Sequence, residues 1–286
     1  MTIRLGADSL CWHLRLERGD LSPDTMLEEA AEAGASHVQL NLHHVRRLSN
    51  DQLSDLAHRA QILGLCLLAS GDFVGAARHG DQVETGANRI SGWLDRAAAL
   101  GSPVLRLVSG FYRTDLADRP DLIALEQSYV VDVLRASVAR AQSSGIRLLL
   151  ENHSDFNVPE YLGILDAVSP AVTGVFLDLI NPVSMLQDPL PVVTALAPHA
   201  YAGHTKDYRF ESIPTDDGYH RRGFSVLYRY PGEGVAPHSA LLQALQEGIG
   251  TREFYLGVEG LDNRHDVADQ TERLRASLRF LGELIA

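Results

Sequence analysis

The sequence predicts a closed (β/α)8 barrel that forms one domain over residues 1–286. The first observation is that short apolar runs alternate with amphipathic stretches from one end of the chain to the other. The second is that these runs are apolar on both faces, which is typical of strands buried in a parallel sheet. Eight such runs, each followed by a helical pattern, favour a barrel over an open doubly wound sheet, which is the structural alternative.

The strand and helix candidates follow one another with few residues between them. The predicted strands cover residues 3–7, 37–42, 65–70, 103–109, 147–151, 172–178, 200–206 and 254–259. The predicted helices cover residues 25–31, 49–63, 90–100, 122–144, 159–168, 190–196, 239–247 and 266–285. Ser22 followed by Pro23 is an N-cap with proline at the first helical position, and glycines end several of the helices. Residues 207–237 form the longest irregular stretch, which is predicted to be a lid or binding loop, with a disordered insertion as the alternative.

Composition and charge narrow the class of protein. The formal net charge is −12, without a long run of Lys and Arg, which argues against binding to nucleic acid or to an anionic membrane surface. The two cysteines, Cys11 and Cys66, are too few for a disulfide scaffold, and the N-terminal residues lack a signal-peptide pattern. The expectation is therefore a cytoplasmic protein that acts on a small molecule. A homodimer or a homotetramer is the assembly considered.

Four predicted strands end in a side chain that can bind a metal ion. These side chains, one on each of the fifth to eighth strands, are Glu151, Asp178, His204 and Glu259. Each directly follows an apolar run, where burial of an unpaired charge is costly. Because the carboxyl ends of barrel strands converge on one cavity, a shared divalent cation would neutralise them together. For any one of them alone, a helix cap or a surface ion pair is the alternative.

The donor set favours some metal ions over others. Three carboxylates and one imidazole suit Mn2+, Mg2+ or Co2+ better than a structural Zn2+ site, which favours sulfur. Mn2+ is the expected ion, with Mg2+, Co2+ and Zn2+ as alternatives.

Several short motifs resemble those of the sugar phosphate isomerase/epimerase family of xylose isomerase-like TIM barrels, which includes the ketose 3-epimerases. They are Leu-Leu-Glu-Asn-His at 149–153, Phe-Leu-Asp at 176–178, Gly-His-Thr-Lys-Asp at 203–207, Pro-Gly-Glu-Gly at 231–234 and Gly-Val-Glu at 257–259. The resemblance implies that the same four side chains bind one divalent metal. It also implies that Glu151 and Glu259 exchange a carbon-bound proton through a cis-enediolate, while Asp178 and His204 mainly hold the ion.

Further residues are candidates for substrate binding, each with a structural alternative. Lys206 is expected to bind a substrate oxygen or to stabilise developing charge, or else to pair with Asp207 or Glu259. The other candidates are Trp12, His13, Arg106, His153, Asn181 and Arg209. Trp12 could equally be a core residue. Arg106 could pair with a metal-ligating carboxylate or be structural. His43, His44, Tyr112, Arg113, Tyr219, His220 and Arg222 are considered as less specific pocket, lid or loop candidates.

The sequence departs from the ketose 3-epimerases at three substrate-binding positions. Asn181 stands where those enzymes have histidine, Asn157 where they have glutamate, and Phe210, next to Arg209, where they have arginine. Metal chemistry is expected to survive these changes, but the identity of the sugar does not transfer.

Rival functions remain at this point. A metal-dependent lyase on an oxidised sugar, which removes water, an alkoxide or carbon dioxide, is the main alternative, because keto-inositol dehydratases and lyases of 3-keto-glycosides resemble the sequence to a similar degree. A nuclease similar to endonuclease IV and a non-catalytic sugar-binding barrel are remote alternatives. The acidic net charge opposes the nuclease. Retention of both glutamates opposes the non-catalytic barrel.

Overall fold

A computed structural model describes residues 2–116, 119–214, 223–260 and 269–286. The strands are β1 (Thr2–Asp8), β2 (His37–Asn41), β3 (Cys66–Phe73), β4 (Val104–Val108), β5 (Arg147–Glu151), β6 (Thr173–Asp178), β7 (Ala200–Thr205), β8 (Asp207–Ser212), β9 (Phe224–Arg229) and β10 (Glu253–Val258). The helices are α1 (His13–Arg18), α2 (Pro23–Ala33), α3 (Asn50–Ile62), α4 (Val83–Ala99), α5 (Pro120–Ser144), α6 (Val158–Ala167), α7 (Pro189–Leu196), α8 (His238–Ile249) and α9 (Gln270–Ile285).

Eight of these strands close into a parallel barrel in the order β1-β10-β7-β6-β5-β4-β3-β2. The ring closes where β1 pairs with β10, with Gly6 opposite Gly257. This closure confirms the predicted barrel and excludes the open sheet, which would have left two strand edges unpaired. The helix boundaries match the sequence signals: Ser22 caps α2 and Gly34 ends it in the left-handed conformation.

Two apolar regions stabilise the barrel. The larger lies between the strands and the surrounding helices and includes residues from nearly every described element. The smaller lies inside the barrel, where we name five side chains from consecutive strands the apolar layer: Leu68, Val104, Leu149, Phe176 and Ala202. Because side chains of a strand alternate between its two faces, the residue two positions further along each strand also faces the barrel lumen.

Near β1, β2 and β10 the lumen is filled differently. A Cβ on Gly6 would lie 2.3 Å from the imidazole of His37, and one on Gly257 would lie 2.6 Å from the side chain of Gln39. The two glycines therefore leave room for buried polar side chains from β2. Burial lowers the pKa of His37 to about 3, although the nearby Asp8 opposes the shift, so His37 is neutral at neutral pH.

The stretch 207–237 is more regular than predicted. β8 and β9 pair as an antiparallel hairpin, from Asp207 opposite Arg229 to Ser212 opposite Phe224. The prediction of an irregular loop is therefore wrong for the described part of this segment. The pattern was hard to read because the hairpin is only partly buried, so its two strands lack the continuous apolar runs of the barrel strands.

Among the described residues, no helix combines the length and the apolar character needed to cross a bilayer.

Candidate active site and metal centre

The carboxyl ends of the barrel strands bring together a buried group of charged side chains, which we name the site layer: Asp8, Arg106, Glu151, Asp178, His204, Lys206 and Glu259. Several of them stand two residues after a member of the apolar layer on the same strand, as Glu151 follows Leu149 and Asp178 follows Phe176. The alternation of strand side chains therefore places one layer directly above the other. All four side chains predicted as metal ligands belong to the site layer.

His204 lies at the centre of this group and is completely buried. Its Nε2 atom is 2.9 Å from Asp178 Oδ2, 3.2 Å from Glu151 Oε1 and 3.8 Å from Glu259 Oε2. Burial by itself lowers the pKa of His204, but the three surrounding carboxylates outweigh it and hold that pKa well above its ordinary value. The imidazole therefore acts as a positive partner for the carboxylates until another cation takes that role.

Hydrogen bonds fix both the carboxylate and the backbone of Asp178. Its Oδ1 accepts hydrogen bonds from the N–H groups of Ile180 and Asn181, at 2.6 and 2.8 Å. The side chain of Asn152 bonds both the N–H and the carbonyl of Asp178, at 2.7 and 2.8 Å. Burial alone would raise the pKa of Asp178. The positive charges of Lys206 and His204 lower that pKa by a larger amount, so the net shift is downward. Oδ2 is left pointing at the cationic groups.

Glu151 is held by a guanidinium and an amide. Arg106 donates to Oε2, and Asn181 Nδ2 donates to Oε1 at 3.0 Å. Tyr161 donates its hydroxyl to the backbone carbonyl of Glu151 at 2.5 Å. Burial alone would raise the pKa of Glu151, but Arg106 and His204 overcome that effect and hold it well below its ordinary value. The expected pairing of Arg106 with one of the predicted metal ligands is thus present, and Asn181, predicted to bind substrate, contacts the same carboxylate.

Lys206 is buried between two carboxylates. Its Nζ is 2.5 Å from Asp178 Oδ2 and also contacts Glu259 Oε2. Burial disfavours the ammonium, but Asp178 and Glu259 more than offset it, and the pKa of Lys206 is raised. Of the two alternative partners named from sequence, the structure shows Glu259 and not Asp207.

Asp8 is a member of the site layer that the sequence reasoning missed. Its Oδ1 accepts the N–H of Leu10 at 2.8 Å, and its Oδ2 is 3.5 Å from His204 Nδ1. Neither Asp8 Oδ2 nor His204 Nδ1 makes a hydrogen bond within the described part of the chain. The signal was present, since the first strand also ends in a carboxylate, but the predicted strand stopped at residue 7, one position too early.

The donor set fits a divalent cation. Ligand atoms of Glu151, Asp178 and His204 lie within 4.8 Å of one another, and so do those of Asp8, His204 and Glu259. Among the described residues of the site layer, four carboxylates face two permanent cations, which leaves two negative charges when the imidazole is neutral. The two orphaned atoms on Asp8 and His204 are the kind of buried polar atom that a bound ion satisfies.

Trp12 and His13 make side-chain hydrogen bonds to residues outside the site layer. Trp12 is completely buried, and its indole N–H donates to Glu29 on α2 at 2.8 Å. This contact joins the first turn after β1 to a surrounding helix, which fits the alternative of Trp12 as a core residue. His13 begins α1, where its Nδ1 lies 2.9 Å from Nε2 of His44.

His153 and Arg209 occupy different surroundings. His153 follows Glu151 and packs with the rings of Phe73 and Tyr112, at centroid distances of 6.3 and 5.4 Å. Arg209 is exposed on the hairpin, and its Nε donates to the carbonyl of Glu233 at 2.6 Å. The other loop candidates, Tyr219, His220 and Arg222, lie outside the described residues.

The Pro-Gly-Glu-Gly motif has a structural explanation. The carboxylate of Asp207 accepts hydrogen bonds from the N–H groups of Gly232, Gly234 and Ala236, at 3.1, 2.9 and 2.9 Å. A Cβ on Gly234 would lie 2.2 Å from Asp207 Oδ1, so only glycine permits this approach. The motif therefore ties the segment after β9 to the start of β8, next to Lys206.

Two other candidates have structural contacts. Asn157, one of the departures from the ketose 3-epimerases, is the N-cap of α6 in a capping box with Glu160. Arg113, considered as a lid residue, donates to Glu160 at 2.7 Å. Both side chains therefore contact the first turn of α6.

Comparisons with known proteins agree with this architecture. The chain is 25% identical over 227 residues to 3-oxo-isoapionate decarboxylase of Pectobacterium atrosepticum, which covers 77% of this chain and 72% of the relative. It is similar in structure to D-psicose 3-epimerase with D-tagatose from Clostridium cellulolyticum H10, with a TM-score of 0.72, 14% identity and 99% of each chain covered.

A further similar structure contains a metal ion. It is a xylose isomerase-like TIM barrel protein from Mycobacterium smegmatis in complex with magnesium, with a TM-score of 0.68, 17% identity and coverage of 100% of this chain and 98% of that one. These two solved structures establish likeness of fold. The model of the family described as xylose isomerase-like TIM barrel matches residues 27–284, and the chain therefore belongs to that family.

Proposed function

We propose that the chain is a divalent-metal-dependent isomerase or epimerase that acts on a ketose or keto-sugar derivative. The observation that carries the proposal is that three carboxylates at the carboxyl ends of the barrel strands converge on the imidazole of His204. They belong to Glu151, Asp178 and Glu259. Active sites of barrels of this kind lie at that end. The similar solved structures include an epimerase and a magnesium complex, which supports the choice of substrate class and of a divalent ion.

The four side chains have distinct roles in this proposal. A divalent ion held by them would polarise a substrate ketone and the adjacent hydroxyl, which acidifies the C–H bond between them. Glu151 removes the carbon-bound proton, and the electron pair moves into the carbonyl to give a cis-enediolate. Glu259 returns a proton to carbon, so that the configuration is inverted or the carbonyl is relocated. Asp178 and His204 hold the ion, with Asp178 fixed by Asn152.

Arg106 and Lys206 position the two glutamates. Arg106 keeps Glu151 ionised, which is the state that accepts a proton, and Lys206 contacts the carboxylate of Glu259. An ammonium at this depth also stabilises negative charge on a substrate oxygen, because the site is buried and excludes water.

A lyase, specifically a decarboxylase of an oxidised sugar, is the second candidate. One observation on the site favours it: the buried cations Arg106 and Lys206 suit an anionic substrate. Loss of carbon dioxide from a 3-keto acid needs no base, because the C–C electron pair moves into the ketone and the resulting enolate is then protonated. The 25% identical relative is a decarboxylase.

The proposal also names a metal ion and a cellular compartment. We take Mn2+ as the ion, with Mg2+, Co2+ and Zn2+ as alternatives, since protein donors alone rarely select among them. Cys11 and Cys66 are free thiols, which fits a reducing cytoplasmic setting.

The proposal is tested by exchange of carbon-bound hydrogen in D2O. The protein with added Mn2+ is incubated with a panel of ketoses, 3-keto acids and 3-keto-glycosides, and deuterium incorporation and products are followed by NMR. We expect Glu151→Gln and Glu259→Gln each to lower exchange by about 100-fold or more. Glu84→Gln, on an exposed residue of α4, is the matched control and should leave exchange unchanged.

The products separate the two candidates. A stereoisomer or carbonyl isomer of equal mass supports the isomerase or epimerase. A product shortened by carbon dioxide supports the lyase and excludes isomerisation as the main reaction. Unchanged exchange in both glutamate variants contradicts their roles as acid and base.

A further inference from the structure

A second group of candidate metal ligands lies outside the site layer. We name it the rim cluster: His13, Glu17 and His44, which follow the ends of β1 and β2. One ligand atom from each residue lies within 4.8 Å of the others. None of the three belongs to the site layer, and none contacts substrate in the function proposed above.

The helix α1 sets the spacing of two of these ligands. His13 and Glu17 are four residues apart, so their side chains lie on the same face of α1 and can reach one ion. Pairs of ligands at this spacing on a helix are a recurring way to bind Zn2+. The third ligand, His44, comes from the turn after β2 and faces the pair.

The two imidazoles are nearly at ligand spacing. His13 Nδ1 and His44 Nε2 are 2.9 Å apart. Two nitrogen ligands of a tetrahedral zinc ion, each about 2.0–2.1 Å from the metal, are roughly 3.3 Å apart. A small opening of the two rings is therefore enough to admit an ion between the nitrogens.

Ser9 supplies the outer contact that a metal-binding histidine needs. A metal at His44 Nε2 requires the ring hydrogen on Nδ1, and Ser9 Oγ lies 2.9 Å from Nδ1 as an acceptor. Ser9 Oγ is held in place because it also accepts the N–H of Asn41 at 2.9 Å. Hydrogen bonds of this kind orient ligating histidines and strengthen metal binding.

Arg46 is the main competitor for the site. It contacts Glu17 through both carboxylate oxygens, at 2.9 and 3.1 Å, and His43 Nε2 lies 3.2 Å from Glu17 Oε1. The side chain of Arg46 is 43% exposed. An ion pair this open to solvent contributes little to stability, so a divalent ion can displace the guanidinium at small cost.

We propose that His13, Glu17 and His44 form a second metal site, which takes a first-row transition ion such as Zn2+ or Co2+ with water in the remaining positions. Two imidazoles and one carboxylate are the ligand set of open zinc sites. This site is richer in nitrogen than the site layer, where carboxylates dominate and Mg2+ or Mn2+ can also bind. The inference does not depend on the proposed function.

Stoichiometry with Co2+ and Mg2+ tests the proposal. Full-length protein, freed of metal by chelation, is titrated with each ion, and bound metal is measured by elemental analysis after dialysis, together with the visible absorption of Co2+. We expect two equivalents of Co2+ but one of Mg2+. His13→Gln and His44→Gln should each raise the dissociation constant of one Co2+ equivalent at least about tenfold, and Ser9→Ala by about tenfold.

Two controls make the outcome specific. His58→Gln, on an exposed histidine of α3, should keep both equivalents. Asp178→Asn, in the site layer, should lose the other equivalent and retain the one that His13→Gln removes. Co2+ binding of undiminished stoichiometry and affinity in both His13→Gln and His44→Gln, or loss of all bound Co2+ in Asp178→Asn, would overturn the proposal.

Discussion

The apolar layer and the site layer lie one above the other in the same barrel, yet opposite forces hold them. In the apolar layer, side chains such as Leu149 and Phe176 are stabilised by removal from water. Two residues further along the same strands, Glu151 and Asp178 are equally buried, and burial opposes their charge. They are tolerated only through contacts with Arg106 and the other charged groups of the site layer. The comparison teaches that one level of the barrel lumen stabilises the fold, while the next level towards the carboxyl ends of the strands holds the charged groups that can carry out chemistry.

Removal of metal should give the largest effect and should leave the apolar layer intact. We expect chelation to lower catalysed C–H exchange by at least about 1000-fold, because polarisation of the ketone is worth several kcal/mol. Circular dichroism should show the fold retained, and added Mn2+ should restore exchange. Full exchange in protein that elemental analysis shows to be free of metal would contradict metal dependence.

Truncation of the apolar layer should do the reverse. Phe176→Ala removes a ring that is 1% exposed and that packs edge-on against His204, with centroids 5.0 Å apart. We expect the free energy of unfolding in urea to fall by about 3–5 kcal/mol. Phe210→Ala, on a hairpin residue that is 52% exposed, should change it by less than about 0.5 kcal/mol. Equal losses in the two variants would show that the lumen does not contribute as an apolar core.

Asp8 tests where the boundary of the site layer runs. Asp8→Asn keeps an oxygen for the N–H of Leu10 but removes the charge beside His204. We expect the affinity for Mn2+ to fall about 10- to 100-fold, whether Asp8 binds the ion or orients His204. Asp20→Asn, on an exposed residue, is the control and should bind as the wild type does. Unchanged affinity in Asp8→Asn would limit the centre to the four residues predicted from sequence.

The difference between the two layers also explains what could be predicted from the sequence. Apolar runs and glycine stops depend on local composition, so they predicted the barrel and placed its strands within a few residues. The convergence of four side chains of the site layer was predicted because each of them ends such a run. Asp8 was missed through an error of one residue at a strand end. The hairpin was missed because its partly buried strands lack the continuous apolar run of a barrel strand.

Contacts between distant residues could not be predicted in this way. The approach of Asp8 Oδ2 to His204 Nδ1, at 3.5 Å, joins residues far apart along the chain and depends on closure of the barrel between β1 and β10. The meeting of His13 with His44 depends in the same way on β1 and β2 lying side by side. Neither local composition nor spacing along the chain contains this information.

His37 gives an effect that is confined to acidic pH and sharpens the comparison, because it is a titratable side chain in the lumen outside the site layer. Its pKa is about 3 in the folded protein and about 6.5 when unfolded, so the unfolded chain binds the proton between these values. The stabilisation is therefore complete above about pH 6.5 and is lost as the pH falls towards 3. We expect His37 to contribute a slope of about 1.4 kcal/mol per pH unit to the free energy of unfolding in that window.

Urea unfolding of His37→Asn between pH 4 and 7 should show a slope shallower by about that amount. His58→Asn, on the protein surface, should keep the wild-type slope. If His37→Asn also keeps it, the imidazole takes up a proton inside the folded barrel, and burial in the lumen does not hold it neutral.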